Sequence, residues 1–199
     1  MTENTVPLED LPEAVQAFVL QWGDMGAQWG VNRSVAQVHA LLYITERPLP
    51  AEEIAGTLGI ARSNVSNSLK ELQGFGIVRR VPVPGDRRDH FAAETDVWEM
   101  AKRIGQVRKQ REFDPALATL AHCLDAAEGE TRVSGEQRRR LEAMRDLTVS
   151  VDRWYEQMLR VPTKSLARLV GMGNKVVSLV GLGGKSDAKP RGNKDQEAA

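Results

Sequence analysis

Two short stretches carry side chains that suit a polyanion. Arg62, Ser63, Asn64, Ser66, Asn67 and Lys70 fall on the outside of a helix whose Val65, Leu69 and Leu72 point inward. An arginine fork offers guanine two donors, an asparagine amide pairs with adenine, and serine or lysine holds phosphate oxygens. The second stretch, Pro84-Gly85-Asp86-Arg87-Arg88-Asp89, puts two arginines on a tight exposed turn. A guanidinium gains from the concentrated negative potential of a narrow minor groove, and Asp86 can orient one of the pair bidentately. A solvated helix face and an ordinary charged turn look alike in composition, so the surrounding elements must decide.

Other chemistry has little to stand on. Cys123 is the single cysteine, which excludes an internal disulfide and a multi-cysteine zinc site; beside Leu124 it reads as a small buried hydrophobe. His39, His90 and His122 lie far apart with no metal-type spacing. Gly171-Met172-Gly173 and Gly181-Leu182-Gly183-Gly184 follow no strand, and there is no nucleophile elbow or paired His-carboxylate spacing. The expectation is a protein with no catalytic residues, no cofactor and no metal.

The charge distribution supports a confined binding face. The 199 residues hold 27 basic and 27 acidic side chains, yet residues 1–32 contain five acids and no base. Residues 61–93 reverse this, with Arg62, Lys70, Arg79, Arg80, Arg87 and Arg88 against Glu71, Asp86 and Asp89. A basic concentration inside a neutral chain is the footprint of a polyanion-binding face. With 41% hydrophobic residues a packed core is expected. An acidic N-terminus and the lack of an 18-residue apolar run imply a soluble, cytoplasmic protein with no membrane partner.

The elements that would position these residues follow from spacing. Leu11, Val15, Phe18, Trp22, Met25 and Trp29 recur at alternating intervals of four and three, one stripe along a helix that Gly23, Gly26 and Gly30 weaken. Ser34 is expected to cap a second helix carrying Val35, Val38, Leu41 and Leu42. Pro48 and Pro50 break it, and Ala51–Leu58 forms a short helix with Ile54, Ala55 and Leu58 inward, stopped by Gly59. Ile60 starts a third helix, although Ala61 caps poorly and Ser63 is an alternative cap; Gly74 and Gly76 end it. Ile77–Val83, the turn at Pro84-Gly85-Asp86 and a return strand around His90–Ala93 make a hairpin. Helix-turn-helix followed by a hairpin is the winged helix-turn-helix arrangement.

Beyond residue 95 the chain reads as helical. Val97, Met100, Ile104 and Val107 form one stripe, and Asp114-Pro115 reads as an N-cap followed by a first-turn proline. The helix it opens turns Leu117, Leu120 and Leu124 inward. Ser134 and Gln137 fit a capping box, opening a helix with Leu141, Met144, Val151, Tyr155 and Met158 on one face. The fold expected is mainly α: residues 1–32 an N-terminal helix, 33–95 a winged helix-turn-helix domain with a small β-hairpin wing, 96–183 a helical dimerisation region and 184–199 a disordered tail. The apolar stripes exceed what a motif of about sixty residues can cover, which implies a homodimer. Residues 160–183 hold four bases and no acid; a membrane-surface helix is disfavoured by the five glycines Gly171, Gly173, Gly181, Gly183 and Gly184.

Residues 48–91, PLPAEEIAGTLGIARSNVSNSLKELQGFGIVRRVPVPGDRRDHF, resemble the MarR superfamily of winged-helix transcriptional regulators. Asp86-x-Arg88 matches the aspartate-x-arginine element of its wing. The continuation HFAAETDVWEMAKRI lacks the usual Leu-Thr pair, and with the tryptophan-bearing first helix it is more similar to the GbsR branch. The resemblance implies a homodimer with the terminal helices at the subunit interface and each wing and recognition helix, here the helix carrying Arg62 and Asn67, facing double-stranded DNA; the role expected of it is that of a repressor. It also implies control of osmoprotectant genes, with choline or a related quaternary ammonium ion as a small effector. Such cations bind aromatic cages, for which Trp22, Trp29, Tyr43 and Trp98 are the candidates, although Trp22 and Trp29 also suit a core or interface. A winged-helix scaffold that binds protein instead of DNA is the competing reading, disfavoured by adjacent arginines at the wing tip.

Overall fold

The computed structural model describes residues 5–173. They divide into two compact units with a boundary between Val161 and Pro162. The first contains α1 (Glu13–Gln28), α2 (Arg33–Ile44), β1 (Leu49–Pro50), α3 (Ala51–Leu58), α4 (Arg62–Gly74), β2 (Val78–Val83), β3 (Asp86–Ala93), α5 (Val97–Arg108), α6 (Asp114–Gly129) and α7 (Gly135–Arg160). The second contains α8 (Thr163–Gly171). The glycines at 181–184 and the tail 184–199 lie outside the described residues.

The core lies where α2, α3 and α4 meet the sheet. Ile54, Val38 and Val65 are fully buried, joined by Leu41, Leu42, Leu69, Leu72, Ile77, Val78 and Phe91. The first helix packs Val15, Phe18 and Trp22 against this core, but its most deeply buried side chain is Val19, outside the expected stripe. Its glycines have a packing role. A Cβ on Gly26 would lie 2.5 Å from the Ala36 Cβ, and one on Gly23 would lie 2.6 Å from Gln37 Cγ. The helix propensity lost at these positions is exchanged for close approach of α1 to α2.

Local chemistry sets the helix ends, not always at the expected residue. The cap of α2 is Asn32, whose side chain accepts from Ser34 N at 2.8 Å; Ser34 is already in the first turn. Gly59 takes φ +62° and stops α3. That turn, with extended Ala61, consumes two further residues, so α4 begins at Arg62 instead of Ile60, and Ile60 packs on the core. Asp114 does not cap a new helix. Residues Lys109–Phe113 form a π-helical turn that joins α5 to α6, and Phe113 is itself helical. The capping box of α7 is present in both halves, Gln137 N on Ser134 Oγ at 3.2 Å and Ser134 N on Gln137 Oε1 at 2.8 Å.

The sheet has three antiparallel strands in the order β1-β3-β2. The short strand β1, not anticipated from the sequence, pairs Leu49 with Phe91 and Pro50 with His90. It anchors the base of the wing to the helical core. The return strand β3 starts at Asp86, four residues earlier than expected, and the register slips between Val81 and Val83, around Pro82. A proline there has no amide to give to the ladder.

Candidate nucleic-acid interface

The helix α4 divides cleanly into two faces. Val65, Ser68, Leu69 and Leu72 are buried, while Arg62, Ser63, Asn64, Ser66, Asn67 and Lys70 are all exposed. The buried set at spacings of three and four fixes the rotation of the helix, so the polar set points away from the core together. Ala61 supplies no side-chain cap. No side chain therefore occupies the amides of Arg62 and Ser63 at the positive end of the helix, where a phosphate oxygen is favoured, while Asn64 N–H donates to the Ala61 carbonyl at 2.9 Å.

Arg62 is engaged within the chain: its guanidinium pairs with Glu52 of α3. Both side chains are substantially exposed, and such surface pairs contribute only ~0–1 kcal/mol. An incoming base edge or phosphate can displace Glu52 at small cost. Thus Glu52 restrains Arg62 in the free protein without blocking it.

At the wing tip the two arginines differ. Gly85 takes φ +85°, making the tight turn. Arg88 folds back on Asp86: its Nε donates to both carboxylate oxygens at 3.0 Å, its Nη2 pairs with the same group, and its backbone N–H donates to Asp86 Oδ1 at 2.9 Å. Buried His90 completes the arrangement, with Nδ1 3.0 Å from the Arg88 carbonyl and Nε2 3.4 Å from Asp86. Arg87 is exposed and has no ion pair among the described residues. The tip therefore presents one braced guanidinium and one that projects freely.

The base of the wing is tied to α5. Arg103 donates to the Gly76 carbonyl at 2.6 Å and pairs with Glu94 at 3.2 Å and Glu99 at 3.0 Å. One side chain thereby joins the entry to β2, the exit from β3 and the first turns of α5.

Behind α4 lies an apolar cavity of about 390 Å³. Trp22 and Trp29 line it; Tyr43 and Trp98 do not, so the four aromatics proposed for a cage are not gathered in one place. Tyr43 instead packs beside Phe18 and His39. Tyr155, a further aromatic of the flanking helices, completes the wall together with His39, Phe75, Ile104 and Arg108, which the sequence did not mark for a cage. His39 shares the inward register of Val35 and Ala36, which was a visible signal; Tyr155 was visible as an aromatic on the face of α7, but not its approach to α1 and α2. Burial lowers the His39 pKa to about 4, so its ring is neutral at physiological pH.

Comparison with known proteins places this geometry. Residues 29–89 match the model of the MarR family. Over 93 residues the chain is 22% identical to YvaV of Bacillus subtilis (strain 168), named as an HTH-type transcriptional regulator; the match covers 47% of this chain and 52% of the relative. The chain thus spans about half the length of that curated relative. A solved structure titled as a transcriptional regulator superposes with a TM-score of 0.50 at 22% identity, covering 73% of this chain and 95% of its own. A DNA-bound S. aureus MepR mutant aligns at a TM-score of 0.35 and 19% identity, over 69% and 92% of the two chains. The fold of this chain, mainly helical with a small three-stranded antiparallel sheet, is that of a winged helix, in keeping with the first of these structures.

Proposed function

We propose that this chain, whose residues 29–89 match the MarR family, is a sequence-specific, DNA-binding transcriptional regulator that acts as a homodimeric repressor and has no catalysis of its own. The observation that carries the reading is the polar face of α4, held outward by four buried residues beside a wing with a projecting Arg87. Asn67 and Arg62 read base edges in the major groove; Arg87 enters the adjacent groove and neutralises phosphate; Arg88 and Asp86 keep the tip in shape.

The homodimer is supported by α7, which leaves Met144, Leu147 and Trp154 more than half exposed along one helix. Paired recognition helices then sit about one helical turn of DNA apart, roughly 34–36 Å. A small effector belongs to the same reading, because the cavity touches α4 and α5 at once. Choline or a related osmolyte, which the GbsR resemblance implies, would have to rest there on Trp22 and Trp29.

Selection of tight-binding duplexes from a random pool, followed by affinity measurement over a range of salt, tests the reading. Asn67→Ala should cost ~1–3 kcal/mol on the selected duplex and little on random DNA. Arg87→Ala should weaken both and reduce the salt slope by about one. Light scattering should give about twice 22.0 kDa. If no duplex is enriched and neither variant changes DNA affinity, the protein-binding scaffold reading replaces this one.

A further inference from the structure

The helix α8 separates apolar from basic side chains more sharply than any other described helix. At about 3.6 residues per turn, Leu166, Leu169 and Val170 share one side at offsets of three and four. Lys164 and Arg168, four apart, lie together on the other side. Leu169, Val170 and Met172 are 41%, 62% and 46% exposed, so the apolar side is left largely uncovered. Lys164 and Arg168 are exposed too, and neither has an ion pair among the described residues. Gly171 is the last residue of α8 and Gly173 lies beyond it, so neither of these glycines interrupts the helix.

The charge of this part of the chain has one sign. Between Glu156 and Asp187 there is no acid, while Arg160, Lys164, Arg168, Lys175 and Lys185 are basic. The sequence beyond Gly173 repeats the α8 spacing: Val177 follows Val170 by seven residues, Val180 lies three further on, and Lys175 follows Arg168 by seven. The helix α7 is built differently. Its Glu136 pairs with Arg139 and Arg140, and its Glu156 reaches Arg160, so opposite charges meet along it. A segment of one sign in a chain of zero net charge points to a partner of the opposite sign.

Nucleic acid would take the cations and leave the apolar side in water. A second copy of α8 would cover the apolar side but bring a second row of cations alongside, with no acid in the segment to face them. A lipid surface takes both, because apolar side chains enter the acyl boundary while Lys and Arg meet headgroup phosphates. We propose that α8 docks on a membrane surface rich in anionic phospholipid, with Leu166, Leu169 and Val170 at the acyl boundary and Lys164 and Arg168 on the phosphates. The contact is peripheral and reversible: no described helix is long and apolar enough to cross a membrane, and the nine residues of α8 bury little area. This docking goes beyond the regulatory reading and does not rest on it.

The test is co-sedimentation of the full chain with vesicles of phosphatidylcholine alone, or of phosphatidylcholine with an equal part of phosphatidylglycerol, at low and high salt. The mixed vesicles should bind about tenfold more tightly or better, and salt should weaken that binding. Replacing Lys164 and Arg168 together by Gln should weaken it about 25-fold, about fivefold per charge. Val170→Asp should also weaken it, with DNA affinity unchanged. In the unsubstituted protein, amide hydrogen exchange across residues 163–171 should slow when mixed vesicles are added, a readout that does not depend on any variant folding. Equal binding to neutral vesicles, or unchanged exchange in α8, overturns the proposal. A variant with a lower light-scattering mass than the unsubstituted chain overturns it too, because the face is then a contact between copies. Weaker DNA binding with vesicle binding intact overturns it by assigning the cations to DNA. The vesicle results stand whether or not any duplex binds, so the two readings fail separately.

Discussion

The helices α2 and α7 are both well-formed, and they could hardly differ more in what they bury. Seven of the twelve residues of α2 are buried, among them Val38, Ala40 and Leu41. None of the 26 residues of α7 is, although its capping box is complete and its apolar residues recur at helical spacing. The contrast separates what makes a helix from what makes a core. Caps and periodicity give α7 its shape; only neighbours on all sides give α2 its burial. The winged-helix half closes around its own core, whereas the α6–α7 hairpin leaves large apolar side chains facing outward. Complete burial of such a side chain is worth about 1.5–3 kcal/mol, which is the driving force available to the proposed dimer.

The largest expected effect lies in the closed half. Ile54 is fully buried between helices, so Ile54→Ala should cost ~2–5 kcal/mol in denaturant unfolding through lost contacts and a residual cavity. The same truncation at Leu147, 60% exposed on α7, should change the stability of dilute monomer by no more than about 0.5 kcal/mol. Equal costs at the two sites would end the contrast. Replacing Leu147 and Trp154 together by Asp should instead convert the species of about twice 22.0 kDa into one of 22.0 kDa in light scattering.

A smaller effect tests the close approach of α1 and α2. Gly26→Ala sets a Cβ against Ala36, and overpacking of this kind costs ~1–3 kcal/mol. The same change at Gly135, the first residue of α7, meets only the far end of the Arg139 side chain at 3.9 Å and should be nearly neutral. Thermal unfolding of both variants gives the comparison directly.

A further effect concerns pH. His39 titrates at 6.5 unfolded and at about 4 when folded. Between those values the unfolded chain binds more protons, so stability rises with pH across the window and falls as pH drops through it. His39→Phe should flatten this part of the stability profile, measured by urea unfolding from pH 4 to 7. An unchanged slope would mean that His39 is not buried as a neutral ring. On the exposed surface of α7, Arg140→Ala removes a pair with Glu136 and should cost only about 0.3–0.5 kcal/mol.

Much of the winged helix was legible because each of its signals is local. Gly59 must take positive φ, Val65, Leu69 and Leu72 share one face at helical spacing, and Gly85 with Pro84 dictates a turn. Each involves residues within a few positions of one another. The errors arose where two local solutions competed. Asn32 and Ser34 both cap well, and the choice depended on where the chain leaves α1. Asp114-Pro115 looks like a helix start, but Lys109 Nζ reaches Asp114 at 2.6 Å and Asp152 at 2.9 Å, which keeps the backbone helical through a π turn.

The sequence by itself determined which residues of α4 face outward, that the wing tip carries arginines, and that Asp86 braces one of them, because those facts depend on period and on contacts two residues apart. Only the tertiary structure decided that Arg88 is the braced arginine and Arg87 the free one, that Glu52 from another helix holds Arg62, and that β1 pins the wing. It alone brought Trp22 and Trp29 to a common cavity with His39 and Tyr155 while leaving Tyr43 and Trp98 elsewhere. Residues more than a hundred positions apart meet there, and no periodicity encodes that meeting. It is set by how closely helices can pack, which at α1 and α2 depends on the missing Cβ atoms of Gly23 and Gly26.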